Sequence, residues 1–236
     1  MEAREGDVIE TRGGVFFDVK GLVHPPSRVI AFIRYFPNEK GGRKKDGKAY
    51  GKVYSLSERY TLLKKRFSQY LVYDPVFDET LCEVPKSDIQ RRYQPSEKLR
   101  ELRGSKRLDP VENKVLRLTQ LLKEEAGIPD DAMGISGSIM VGLHTAHSDI
   151  DPIVYGAKNC RKVHSTLERM FKKGHAQIKP YKLEELKILF DFRSKDTVMS
   201  FESFVRTESR KVLQGKFMET DYFIRFVKDW GEVDET

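Results

Sequence analysis

The sequence predicts an α/β protein of the α+β kind. A strand-rich N-terminal domain spans residues 1–85, a basic connector residues 86–107, and a second mixed domain residues 108–236. Three observations carry that reading. Short β-branched and aromatic runs bounded by Gly and Pro crowd the first third of the chain. An amphipathic helix with clear start and stop signals opens the second half. Just after it, a Gly-Ser pair and an Asp-Ile-Asp triplet stand between two apolar runs.

Composition bounds the partners before any motif is read. The 236 residues suffice for one large or two small domains, and 39% hydrophobic with 33% charged residues marks a folded chain with a highly charged surface. No apolar run approaches the roughly 20 residues that cross a bilayer. The N-terminus, MEAREGDVIE, is polar and acidic rather than signal-like, so we expect a cytoplasmic protein with no membrane partner. The net charge of +7 and pI near 9.2 favour an anionic partner: a nucleotide, RNA or DNA. Cys82 and Cys160 fit no metal spacing and are expected as free thiols.

In the N-terminal domain, residues 14–21 (GVFFDVKG) and 29–36 read as strands, the second closed by Pro37. The lysine- and glycine-rich stretch KGGRKKDGKAYGK reads as a loop. A helix is expected over residues 57–67, with Leu62, Leu63 and Phe67 on its apolar side, and strands near 70–73 and 81–84. Residues 86–107 are polar and basic, suited to a solvated connector or to a strip facing a polynucleotide backbone, with Tyr93 placed for stacking.

The helix that follows is legible in detail. Asp109 suits the N-cap, Pro110 the first turn and Glu112 the reciprocal position of a capping box. Val111, Val115, Leu118 and Leu122 form one apolar stripe, and Gly127 with Pro129 ends the segment. Further helices are expected over residues 160–171, 182–192 and 201–213, the last stopped by Gly215, and a strand over residues 221–227, DYFIRFV.

Residues 133–156, MGISGSIMVGLHTAHSDIDPIVYG, hold the candidate chemistry. They read as a strand over 133–135, a turn at Gly137-Ser138, a short helix or loop, and a second strand carrying Asp149 and Asp151. Side chains two apart in a strand share a face, so the two carboxylates should project together, where their repulsion calls for a cation. Hard oxygen ligands suit Mg²⁺, which shares its remaining positions with water and substrate phosphates. Glycine lets backbone N–H groups approach a phosphate closely, and a helix opening at Ser138 would aim its N–H groups at that anion.

Gly137-Ser138, ten intervening residues and then Asp149-Ile150-Asp151 resemble the signature of the DNA polymerase beta-like nucleotidyltransferase superfamily. The wider chain resembles an archaeal group of predicted nucleotidyltransferases through GDVIETRGGVFFDVKGLVHPP, VIAFIRYFP, YLVYDPVFDETLCEVP, GISGSIMVGLHTAHSDID and KFMETDYFIRFVKDW. The archaeal relatives continue beyond the last of these, so a C-terminal sheet extension is expected to be missing or reduced.

The resemblance implies a polymerase beta-like core and an enzyme that moves a nucleoside monophosphate from an NTP to an acceptor hydroxyl. Two Mg²⁺ ions would be held by Asp149, Asp151 and a third carboxylate. Asp221 is the first choice for the third, Glu219 its competitor, and Asp191 and Asp196 further options. Gly137, Ser138 and Ser148 would bind the nucleotide phosphates. Arg206 and Arg210, four apart on an expected helical face, are candidates for a phosphate clamp, as are Arg193, Lys211 and Arg225. His144 and His147 flank the motif loop.

Basic charge tilts the acceptor towards RNA or another nucleic acid. Two alternatives stay open: a nucleotide- or RNA-binding module with a decayed site, and a protein-modifying nucleotidyltransferase of toxin–antitoxin type. One residue departs from the pattern: Pro152 follows the second Asp, where an apolar strand residue is usual. It places the strand's N–H side at an edge or distorts the site.

Overall fold

The computed structural model describes residues 2–194 and 199–233. The fold is mixed α+β and divides into two compact units. The first joins Met1–Gln94 to Met140–Leu143; the second joins Pro95–Ile139 to His144–Thr236.

The first unit holds an eight-stranded antiparallel sheet made of β1 (Val8–Thr11), β2 (Phe16–Val19), β3 (Arg28–Pro37), β4 (Arg43–Lys45), β5 (Lys48–Lys52), β6 (Leu71–Asp74), β7 (Glu79–Pro85) and β8 (Ile89–Tyr93), with one helix, α1 (Leu56–Arg66), between β5 and β6. The strand order β4-β5-β3-β2-β1-β8 branches at β3. The ten-residue β3 pairs β7 along its first half and β5 along its second. Both faces are covered. Phe17, Val19, Ile33 and Val84 pack with Leu63 of α1 on one side. Phe16, Tyr35, Tyr50 and Tyr93 cluster with Met140, Val141 and Leu143 on the other.

The stretch expected as a lysine-rich loop is a hairpin, β4 to β5. Its turn is Asp46-Gly47, both at positive φ (49° and 75°), the backbone that a two-residue primed turn requires. The expected connector over residues 86–107 is also corrected. Its first part is β8, paired to β1, and its second part is α2 (Pro95–Gly104), whose Leu99 and Leu102 are buried in the second unit's core. The charges that suggested solvation occupy only the outward positions. Tyr93 is buried, donates to Glu10 at 2.6 Å and lies under Lys45 and Arg91, so it is not placed for stacking on a base.

The second unit continues with α3 (Pro110–Ala126), β9 (Met133–Ile135), the one-turn α4 (Gly137–Met140), β10 (Pro152–Tyr155), α5 (Ala157–Lys173), β11 (Ile178–Lys179), α6 (Leu183–Arg193), α7 (Phe201–Glu208), β12 (Gln214–Phe217), β13 (Thr220–Phe223) and β14 (Arg225–Val227). Helix α3 forms as the sequence predicts. Asp109 accepts from the N–H groups of Val111 and Glu112, Gly127 caps the other end, and the four-residue stripe is buried. β10 runs antiparallel to β9 and parallel to β14, while β12 sits between β11 and β13.

Two expected elements end differently. The helix expected over 201–213 stops at Glu208, because Val212 and Leu213 are drawn into the core on the way to β12, which contains Gly215. The run DYFIRFV is split between two sheets. The Ile224 N–H donates to the Leu213 carbonyl, extending the β12–β13 pairing, before β14 takes up the pairing with β10.

Candidate functional site

The Gly-Ser bend and the second acid of the triplet meet directly. After β9, the Ser136 N–H donates to the Asp151 carbonyl at 2.9 Å, setting the two segments side by side. Gly137 then takes φ +65°, and a Cβ at that position would overlap Asp151 Oδ2 and lie 2.9 Å from its Cγ. The Asp151 carboxylate therefore rests on the bare Cα of Gly137. No other residue meets both demands, the left-handed backbone and the missing side chain.

The neighbouring strand adds the third acid. Ile150 bridges Tyr222 in parallel register: its N–H donates to the Asp221 carbonyl, and the Phe223 N–H donates to its own carbonyl, each at 2.9 Å. Ile150 and Tyr222 are buried on one face of this pair. The expected strand begins only at Pro152, so Asp149 and Asp151 precede it and flank the isolated Ile150 bridge. Extended backbone there turns both, with Asp221 and Phe223 of β13, to the opposite face. Asp149 is exposed, and Asp151 and Asp221 are partly buried.

Asp221 is already engaged. Lys216, its cross-strand partner on β12, lies 2.9 Å away, and Tyr181 hydrogen-bonds to the same carboxylate. Burial first, and then the Asp221 charge, push the Tyr181 phenol well above its ordinary value, so it stays a donor. Phe223, 38% exposed, leaves an aromatic ring on the carboxylate face.

The two candidate serines bond to each other. Ser138 Oγ donates to Ser148 Oγ at 3.2 Å, and Ser148 Oγ accepts the Thr145 N–H at 2.9 Å. Both are buried, and together they close the loop between bend and acids. Helix α4 is a single turn, too short to build a macrodipole, so what it offers an anion is backbone N–H groups.

The other sequence candidates have separate placements. Glu219 is at the tip of the β12–β13 hairpin, at φ +63° and 3.4 Å from Lys179, not on the strand beside Asp221. Asp191 is exposed on α6, and Asp196 lies outside the described residues. Arg210 lies past the end of α7, so it and Arg206 do not form the expected pair on one helical face, although both are exposed. Arg193 and Lys211 converge on the buried Glu208, with Arg193 also bonding Gln214 at 3.2 Å. Burial alone would raise the Glu208 carboxyl, but Lys211, Gln214 and Arg193 outweigh it and hold the group below its usual value. Arg225 continues the parity of Asp221 on β14, beside Ile153.

One further cluster has the composition of a metal site: Asp109, Glu112 and His144, with ligand atoms within 4.8 Å of one another. Its oxygens already serve the start of α3. Asp109 Oδ1 accepts two backbone N–H groups, Glu112 accepts the Asp109 N–H at 3.1 Å, and His144 Nε2 contacts Asp109 Oδ2 at 2.6 Å. We read it as a helix cap that anchors the motif loop. His147 is exposed in that loop.

Sequence reasoning did not find Lys216, Tyr181 or Phe223. The hairpin that aligns Lys216 with Asp221 turns at Met218-Glu219, both at positive φ, and neither residue type signals such a turn.

No family model matches the chain, and no solved structure matches it. The chain is similar to the uncharacterized protein MJ1086 of Methanocaldococcus jannaschii, with 32% identity over 243 aligned residues. That alignment covers 100% of this chain and 71% of the relative. Identity at that level over the whole chain places the protein in one family with MJ1086.

Proposed function

We propose that the protein is a nucleotidyltransferase with a polymerase beta-like core. It would transfer a nucleoside monophosphate from an NTP to an acceptor hydroxyl, favouring RNA or another nucleic acid, with release of pyrophosphate. The supporting observation is the bridge between Ile150 and Tyr222, which sets the segment of Asp149 and Asp151 beside that of Asp221, with the bare Cα of Gly137 beneath Asp151.

The donor set fits magnesium, since it is built of carboxylate oxygens, and one of them, Asp151 Oδ2, occupies the place a Cβ would take at Gly137. Two bound Mg²⁺ ions would neutralise the triphosphate and lower the pKa of the attacking hydroxyl. The chain's own part is positioning. The Ser136–Asp151 hydrogen bond holds one carboxylate over the bend, and the Ser138–Ser148–Thr145 links fix the loop. In this reading the N–H groups that open α4 would take the incoming phosphate oxygens. The acceptor oxygen attacks the α-phosphorus, the bond to the pyrophosphate oxygen breaks, and the hydroxyl proton leaves to a facing carboxylate.

The ion pair between Lys216 and Asp221 favours a second reading, a nucleotide-binding module that has lost catalysis, because the third carboxylate is already neutralised. One experiment separates these readings. The protein is incubated with Mg²⁺, each labelled NTP, and separate pools of RNA and protein, beside Asp149→Ala/Asp151→Ala. Label entering RNA and lost in the variant supports the proposal. Label entering protein identifies a protein-modifying transferase. NTP bound with no label transferred supports the binding module.

A further inference from the structure

The first unit carries a basic surface that the carboxylate face does not explain. Residues 38–66 contain ten Lys and Arg against three Asp and Glu. Lys40, Lys44, Lys48, Lys64 and Lys65 are exposed, and among the described residues they have no ion-pair partner. Uncompensated cations this close repel one another, a cost that an anionic ligand removes.

The surface also has shape. A cleft of about 750 Å³ opens between the β4–β5 hairpin and the end of α1, lined by Asn38, Lys40, Lys48 and Arg66 among others. The Arg66 guanidinium lies 5.2 Å from the Phe36 ring centroid and 5.3 Å from that of Phe67. Stacking fixes its plane and leaves its N–H edge for an anion. Nearby, Lys52 Nζ is 4.7 Å from the ring of Tyr54, which is 45% exposed. An aromatic face beside a cation is the pairing that takes a base and its phosphate together.

We propose that this hairpin and the last turn of α1 bind the phosphate backbone of a single-stranded polynucleotide. The cleft holds one strand, and the cations track its phosphates. Binding here needs none of the acids at residues 149, 151 and 221, so it stands whether or not nucleotidyl transfer occurs.

The test is fluorescence anisotropy with labelled RNA and DNA single strands of about 12 nucleotides. The full chain is compared with Lys40→Glu/Lys44→Glu/Lys48→Glu and with a reversal of equal charge on α5, Lys158→Glu/Lys172→Glu/Lys173→Glu. The parent should bind with log K falling linearly against log salt. The hairpin variant should bind at least about tenfold more weakly, its slope flattened by about 0.7 for each phosphate it no longer neutralises. The α5 variant should stay within about threefold of the parent, since it keeps every cation of the hairpin and of α1. Tighter binding of either RNA or DNA supports the proposal and identifies the sugar. The proposal fails if the parent does not bind, if the α5 reversal weakens binding as much as the hairpin reversal, or if polyglutamate or anionic vesicles compete as well as the oligonucleotide does.

Discussion

Two sets of basic residues in this chain have opposite fates. In the second unit, Arg193 and Lys211 close on Glu208, Arg103 and Lys123 on Asp130, and Lys216 on Asp221. In the first, Lys44 and Lys48 of the β4–β5 hairpin and Lys64 and Lys65 of α1 face solvent, with no acid paired to them among the described residues. The same residue types serve as internal ties in one place and as an open field in the other. The net charge of +7 is therefore not spread evenly over the surface. A charge count finds the basic stretch over residues 38–66, but only the pairing tells tied cations from open ones.

The largest expected effect would break the comparison at its acidic end. Replacing Asp149 and Asp151 by Ala should lower label transfer by roughly three orders of magnitude or more, with the melting temperature kept, because Asp149 is exposed and Asp151 only partly buried. Retained transfer would remove the carboxylate face from the mechanism.

Gly137→Ala comes next. It forces φ +65° on a residue with a Cβ and drives that Cβ into Asp151. We expect a loss of about 1–3 kcal/mol in a denaturant titration, together with lost transfer. An unchanged midpoint would mean that the bend relaxes freely.

The paired and unpaired cations can be compared directly. Glu208→Ala strands two cations around a buried position and should cost about 1–3 kcal/mol, whereas Lys65→Ala should stay within about 0.5 kcal/mol of the parent. The same acid gives a pH signature. Its carboxyl is held below the ordinary value of 4.5 in the fold. The stability it contributes is therefore fully present above that value and is lost as the pH falls through the lower folded value. Glu208→Gln should flatten the acid limb of the melting profile. An unaltered limb would assign the acid sensitivity to other carboxylates.

The smallest effect concerns the thiols. Burial pushes Cys82 up to about 12 and Cys160 up to about 11, and both are buried. Neither should react with a thiol reagent at pH 8 until denaturant is added. Rapid labelling of the native protein would reveal opening of the cores that hold them.

Much of the second unit was readable because its signals are local. The Asp109–Glu112 box, the four-residue stripe of α3 and the Gly127 cap each fall within a few residues of one another. The Gly-Ser bend and Asp151 were separable in sequence yet related by a pattern, and the structure brings them together. The hidden parts depend on distant partners. Nothing near Ile89 says that β8 will pair with β1, so residues 86–107 resembled a linker. Asp46-Gly47 was a hairpin signal masked by the lysines around it. Nothing within DYFIRFV marks its division at Ile224, whose N–H goes to the Leu213 carbonyl.

The four residues Met140–Leu143 belong to the first unit although the bend and the acids on either side of them belong to the second. Proteolysis after Gln94 would not release two self-sufficient halves. The N-terminal piece would be without Met140, Val141 and Leu143, and its aromatic cluster of Phe16, Tyr35 and Tyr50 would be open to water. Grafting either unit onto a foreign partner would mean carrying that short strip of chain with it.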